Sequence, residues 1–245
     1  MAMWFGTMSG LNRYDGYSFK VFRRIHKDTT SLNDNYIVNI FEDHLRNLWV
    51  ETRQGNTIYL REQEHFIRNT AAYLKKAGFP ESGLMEGVKD PNGNFWYLSA
   101  SRNLYKYTAS TGDYQKVDID RNLQYTGIFV DMATDSRGNL WLIFDNGSLL
   151  KIPADPQSGE GQFYAFEEAP GHNVDYAIFV DSQDHLWVYA AGSNHGVYWF
   201  DPGPATFQHI GRNTAPYRLN TDLVNSLTED NQGRIWIGTD HGGIN

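Results

Sequence analysis

The chain has 245 residues, no cysteine and a net charge of −8, from 21 Lys and Arg against 29 Asp and Glu. No disulfide framework, thiolate metal site or cysteine nucleophile is available, and no basic face is offered to nucleic acid or to an anionic membrane surface. Aromatic residues reach 15% of the chain, which favours pleated, half-buried strands, and no apolar run approaches the roughly 18 residues of a membrane span.

Taken from the amino end, the first element is a tryptophan strand at Trp4. A strand from Leu11, an Asp15-Gly16 hairpin link and a strand over Ser18–Phe22 follow it. The second unit runs through an apolar strand at 37–42, a polar turn from Asp43 to Trp49 and a strand at 56–60. Arg68 to Ala77 is the one helical candidate, a short insertion between units. The third unit has the turn Asp90–Trp96 and strands from Asn103 and Asp113. The fourth opens at Gly127, turns at Asp135–Trp141 and continues with strands from Ser148 and Phe163. The fifth has a strand at 177–180, the turn Asp181–Trp187 and strands from Val197 and Thr206. The sixth has a strand ending at Glu229, the turn Asp230–Trp236 and a Gly-Gly pair.

These units are one repeat. Trp4, Trp49, Trp96, Trp141, Trp187 and Trp236 recur at intervals of 45 to 49 residues, and only Trp199 stands outside the series. Asp43, Asp90, Asp135, Asp181 and Asp230 each precede their Trp by six positions. Gly10, Gly55, Gly147 and Gly242 follow theirs by six, with Arg102 and Ser193 in the other two units. The Asp carboxylate is expected to accept backbone N–H groups across the turn, a structural role shared by all five. Four short strands per unit, several apolar at successive positions, describe sheets covered on both faces. The fold class is therefore all-β, a β-propeller of five to six four-stranded blade units. The chain starts and ends inside a repeat and reads as a single incomplete arc over 1–245, from a seven-bladed ring. Such a cut should leave a strand edge open to self-association.

The segments WFGTMSGLNRYDG from Trp4, WIGTDHGGIN from Trp236, SLNDNYIVNIFED from Ser31 and RLNTDLVNSLTED from Arg218 resemble the two-component regulator propeller repeat. The middle units depart from it, with Arg46 and Asp184 in place of the turn glycine and Phe144 in place of Thr. The resemblance implies the periplasmic ectodomain of an inner-membrane sensor histidine kinase, often of a hybrid two-component system, that senses glycan fragments. No kinase motif is present in these residues.

Candidate chemistry is sparse. Glu42-Asp43 and Glu229-Asp230 could suggest a glycosidase pair, but a residue repeated in five units does not mark one catalytic centre. A sialidase-like arginine cluster would have to draw on Arg53, Arg102, Arg121 and Arg212. The eight histidines, 26, 44, 65, 172, 185, 195, 209 and 241, form no metal-ligand spacing, so neither a metal nor a cofactor is expected. The loops after the Trp strands vary between constant flanks and are the candidate ligand-binding positions. They carry Arg53-Gln54, Ser101-Arg102, Asp145-Asn146, Ser193-Asn194-His195 and Asp240-His241, and the expected partner is a small oligosaccharide or another small ligand. The expectation is a non-enzymatic sensor, with a propeller glycosidase or lyase and a protein-interaction scaffold as the alternatives.

Overall fold

The computed structural model describes residues 2–119, 127–165 and 174–245; Arg121, Phe166 and His172 lie outside them. The described residues form six antiparallel sheets in two compact units, one of Met1–Lys89 with Gly93–Asp118 and one of Asp90–Asn92 with Ile119–Asn245.

In the first unit, blade 1 has three strands in the order β1 (Met3–Thr7), β2 (Gly10–Tyr14) and β3 (Phe19–Phe22). Blade 2 is the meander β4 (Ile37–Glu42), β5 (Leu48–Thr52), β6 (Gly55–Leu60) and β7 (His65–Ile67). The expected helix follows as α1 (Thr70–Lys76), capped by the Asn69 side chain accepting the Ala72 N–H. Blade 3 is β8 (Leu84–Lys89), β9 (Phe95–Ser99), β10 (Leu104–Thr108) and β11 (Asp113–Val117). Successive blades pack face to face. Leu11 and Trp4 meet Ile37, Leu48, Tyr59 and Phe66 between blades 1 and 2. Trp49 and Ile58 meet Leu84, Phe95, Tyr97 and Tyr105 between blades 2 and 3, with Leu74 of α1 joining them.

The second unit repeats the plan. Blade 4 is β12 (Phe129–Thr134), β13 (Leu140–Phe144), β14 (Ser148–Ile152) and β15 (Gln162–Ala165). Blade 5 is β16 (Tyr176–Val180), β17 (Leu186–Ala190), β18 (Val197–Asp201) and β19 (Thr206–Ile210). Blade 6 has β20 (Val224–Glu229), β21 (Ile235–Thr239) and the short β22 (Gly243–Ile244). Trp141 packs against Leu186, Tyr198 and Phe200 of the next blade. Burying both faces of β13, whose five residues are all buried, explains why LWLIF reads as a continuous apolar run rather than an alternating one. Trp199 falls outside the period because it is the cross-strand partner of Trp187 in blade 5.

Candidate functional site

The five aspartates are the pegs on which the blades hang. Each turn of the Asp43 type is a three-residue hairpin whose last loop residue is left-handed: Arg46 at φ 64°, Gly93 at 87°, Gly138 at 81°, Asp184 at 67° and Gly233 at 76°. Asp135 shows the hydrogen-bond scheme. Its Oδ1 accepts the N–H groups of Arg137 (3.1 Å) and Asn139 (2.9 Å), and its Oδ2 accepts Nε1–H of Trp141 (3.2 Å). The same bond from indole to carboxylate measures 3.0 Å at Trp49, 2.9 Å at Trp187 and 2.8 Å at Trp236. The six-residue spacing is thus a two-sided clamp, tying the turn to the strand that it introduces. In blade 3 Asp90 accepts the Asn92 N–H, while the buried Trp96 indole N–H has no partner among the described residues. All five carboxylates accept N–H groups of their own turns.

The turns also lock neighbouring blades. The Asp184 carboxylate accepts both N–H and Oγ–H of Ser136 at 2.7 Å, and Glu229 accepts the same pair from Ser182 at 2.8 and 2.6 Å. In the first unit the His44 N–H donates to the Tyr97 hydroxyl at 2.8 Å. The His44 ring lies among Phe95, Tyr97, Tyr107 and Tyr114, and burial there holds its pKa below the ordinary histidine value.

At the other end of each Trp strand lie the loops expected to bind ligand. The β5–β6 tip is tied down by Asn33, whose Nδ2 donates to the carbonyls of Gln54 (3.3 Å) and Gly55 (3.0 Å). Arg53 is exposed and lays its guanidinium over the Tyr36 ring, 3.8 Å from the centroid. Gln54 is exposed beside it. On the corresponding tip of blade 3, Arg102 is exposed and left-handed at φ 62°. In the second unit Asp145 is buried. Its carboxylate accepts the Ile128 N–H at 2.7 Å and its carbonyl accepts Val174 N–H at 3.2 Å, which makes it a tie between segments. Asn146 turns inward to accept the Ser148 N–H. Asn194 is exposed and bridges to Leu223, whose carbonyl also accepts the Asp240 N–H, so the β17–β18 and β21–β22 tips lie side by side. The His195 carbonyl bonds His209 Nε2 at 2.8 Å. Asp240 and His241 pair at 3.0 Å in the open.

Sequence reasoning missed Asn33, Asn220 and Tyr36. Asn220 repeats the Asn33 device, donating to the Gly242 carbonyl at 3.0 Å. The doubled Leu-Asn at 32–33 and 219–220, both leucines buried, was the available signal. Also missed was a cleft of about 650 Å³ between blades 5 and 6, bordered by Trp187, Trp199, Tyr217, Ile235, Ile237 and Asn245. Among the described residues no cluster of three His, Asp or Glu side chains could hold a metal ion. Burial pushes the Asp131 carboxyl up to about 6, against the opposing hydrogen bonds from the Ile178 and Met132 N–H groups.

Blades, clamps and loops together define a run of β-propeller blades built from one repeated unit. The two-component regulator propeller pattern matches residues 218–241, the stretch from Arg218 through the last turn to His241. No curated protein matches the sequence. Among solved structures, the extracellular domain of a putative hybrid two-component system from B. thetaiotaomicron is similar at 18% identity and TM-score 0.58, over 99% of this chain and 38% of that one. PorZ, a bacterial surface component of the type-IX secretion system of Porphyromonas gingivalis, is similar at 16% identity and TM-score 0.61, over 99% and 36%. A protein of unknown function from Bacteroides thetaiotaomicron gives 11% identity and TM-score 0.57, over 89% and 56%. The chain therefore spans well under half the length of the first two. Among the described residues no helix is long and apolar enough to cross a membrane.

Proposed function

We propose that this chain is a non-catalytic, ligand-sensing propeller segment of a two-component receptor, working in the periplasm and responding to glycan fragments. The histidine kinase would lie elsewhere in the longer protein, and the seven-bladed parent ring suggested by the repeat period belongs to the same proposal. The observation that carries this reading is the Arg53 guanidinium stacked on Tyr36 at a pinned loop tip. A cation held flat on an aromatic face keeps its N–H edge turned toward solvent, ready for hydroxyl or carboxylate oxygens. Loops on a rigid scaffold are where propellers can vary without loss of fold. The likeness to an extracellular two-component domain supports the setting. The engagement of all five turn aspartates speaks against acid catalysis by those residues, because each carboxylate already accepts hydrogen bonds from its own turn.

The test is a calorimetric screen of host and plant oligosaccharides, with chromatography of each mixture for products. The proposal expects saturable binding of one glycan class, no product, and at least tenfold weaker binding by Arg53→Ala. Turnover of any substrate, or no binding across a broad panel, would reverse it.

A further inference from the structure

The first unit collects unpaired arginines at its tip end. Arg23, Arg24, Arg53 and Arg102 are all exposed, and among the described residues none of their guanidinium groups meets an acid. They lie apart in the sequence, and the antiparallel register brings them to one end of the blades. Phe22 pairs with Leu11 beside the first tip, and Arg23 Nε donates to the Ser9 carbonyl there at 3.0 Å. The Arg24 N–H donates to Asn35 Oδ1 at 2.7 Å, one residue before the Tyr36 ring that carries Arg53. From the β5–β6 tip the ties continue into blade 3. Asn56 Nδ2 donates to the Leu84 carbonyl at 2.8 Å, Leu84 pairs with Ser99, and the Ser99 carbonyl accepts the Arg102 N–H at 2.9 Å.

The acids of the connecting loops at this end are already engaged. Asp28 Oδ1 accepts the N–H and Oγ–H of Thr30 at 2.8 and 2.7 Å, and Asp34 Oδ1 accepts the Tyr36 N–H at 3.3 Å. Glu81 Oε1 accepts Nδ2–H of Asn103 and the Tyr105 hydroxyl, each at 2.7 Å. Glu51, two residues before Arg53, is half-buried, and burial raises its pKa and disfavours its charge. At the opposite end Arg13 and Lys20 share Glu64, and Arg61 meets Glu42. A chain of net charge −8 thus leaves four arginines unneutralised along one edge. Net charge offered no basic face, yet the register assembles a small one. A guanidinium without an acid turns its fork of N–H donors to solvent, and that fork matches the paired oxygens of an anionic group.

We propose that this end recognises an acidic oligosaccharide, with Arg53 and Arg102 each donating to a carboxylate or sulfate group of the ligand and Arg24 adding a third cation beside Tyr36. The inference rests on the glycan-sensing reading above and names the class of glycan. A neutral sugar leaves the gathered positive charges uncompensated, so the same edge that attracts acidic glycans discriminates against their uncharged counterparts.

The test is calorimetry on the 245-residue protein with a tetrasaccharide of galacturonic acid, its carboxyl-reduced form, a sulfated galactose tetrasaccharide and its desulfated form. The two acidic probes separate carboxylate from sulfate recognition. The expected result is saturable binding of one acidic probe, weakened about tenfold or more in its uncharged form, in Arg102→Ala and on raising salt from about 50 to about 500 mM. Arg24→Ala should weaken it by a smaller factor, and Lys20→Ala, at the opposite end, should leave it unchanged. Equal binding of an acidic probe and its uncharged form would overturn this proposal and leave glycan sensing standing. Equal binding of an oligonucleotide of matched charge, or equal weakening by Lys20→Ala, would overturn it by showing that bare charge suffices. No binding of these probes or of any other glycan would overturn both readings together.

Discussion

Replacing Asp135 by Ala is the sharpest probe of the repeat's architecture. Asp135 is 3% exposed, and its loss strands two turn N–H groups and the indole N–H of Trp141, itself fully buried. A hydrogen bond to a charged acceptor is worth about 1.5–3 kcal/mol, and a buried donor left unpaired costs about 1–3 kcal/mol. Arg137 lies at an exposed position, so water can reach its N–H, whereas Trp141 has no such recourse. The sum is about 3–5 kcal/mol of destabilisation. Asp230→Ala removes the matching turn and indole bonds and an exposed ion pair with Arg234, but Trp236 is 42% exposed, so its loss should be clearly smaller. The assay is guanidinium unfolding of both variants, followed by tryptophan fluorescence. Equal losses in the two, or a loss below about 1 kcal/mol for Asp135→Ala, would refute the clamp.

Three further outcomes follow from the same geometry. Arg46→Gly should stabilise the protein by about 0.5–1 kcal/mol, because Arg46 holds a left-handed conformation that glycine adopts without penalty; Asp184→Gly should not, since it forfeits both bonds to Ser136. Unfolding midpoints read both. Trp141→Ala should cost about 3–5 kcal/mol as a large core truncation, with Trp236→Ala costing markedly less; chemical denaturation compares them. The Asp131 carboxyl, raised to about 6 by burial, binds its proton more tightly folded than unfolded. Its contribution is therefore complete below about pH 4 and is lost as pH rises through about 6, on the order of 3 kcal/mol. Urea midpoints from pH 4 to 7 should show this fall in the parent protein and a shallower one in Asp131→Asn; identical slopes would count against it.

The blades were legible because Trp and Asp keep one spacing, and that spacing is a covalent-length constraint on a single hydrogen-bonded turn. The strands beginning at Asn56, Ser148 and Val197 fell where expected for the same reason. Glycine replacements were visible as exceptions, but their consequences were not: Arg46 carries strain while Asp184 gains a bond to the next blade. The loop tips were readable as variable positions, yet nothing local distinguished the exposed Arg53 from Asp145, which turns inward to hold Ile128. That difference depends on what the preceding chain segment places beneath each tip. The cleft beside Trp187 was not legible at all, since the repeat spacing does not report the space left between neighbouring blades.

The central claim, that pinned loop tips bind a glycan without catalysis, is tested most directly by hydrogen–deuterium exchange with and without an oligosaccharide that calorimetry shows to bind. The account predicts added protection at residues 33–36, 53–55 and 101–103, reversed by Arg53→Ala. Protection confined to other segments, or none at these tips at saturating ligand, would contradict it.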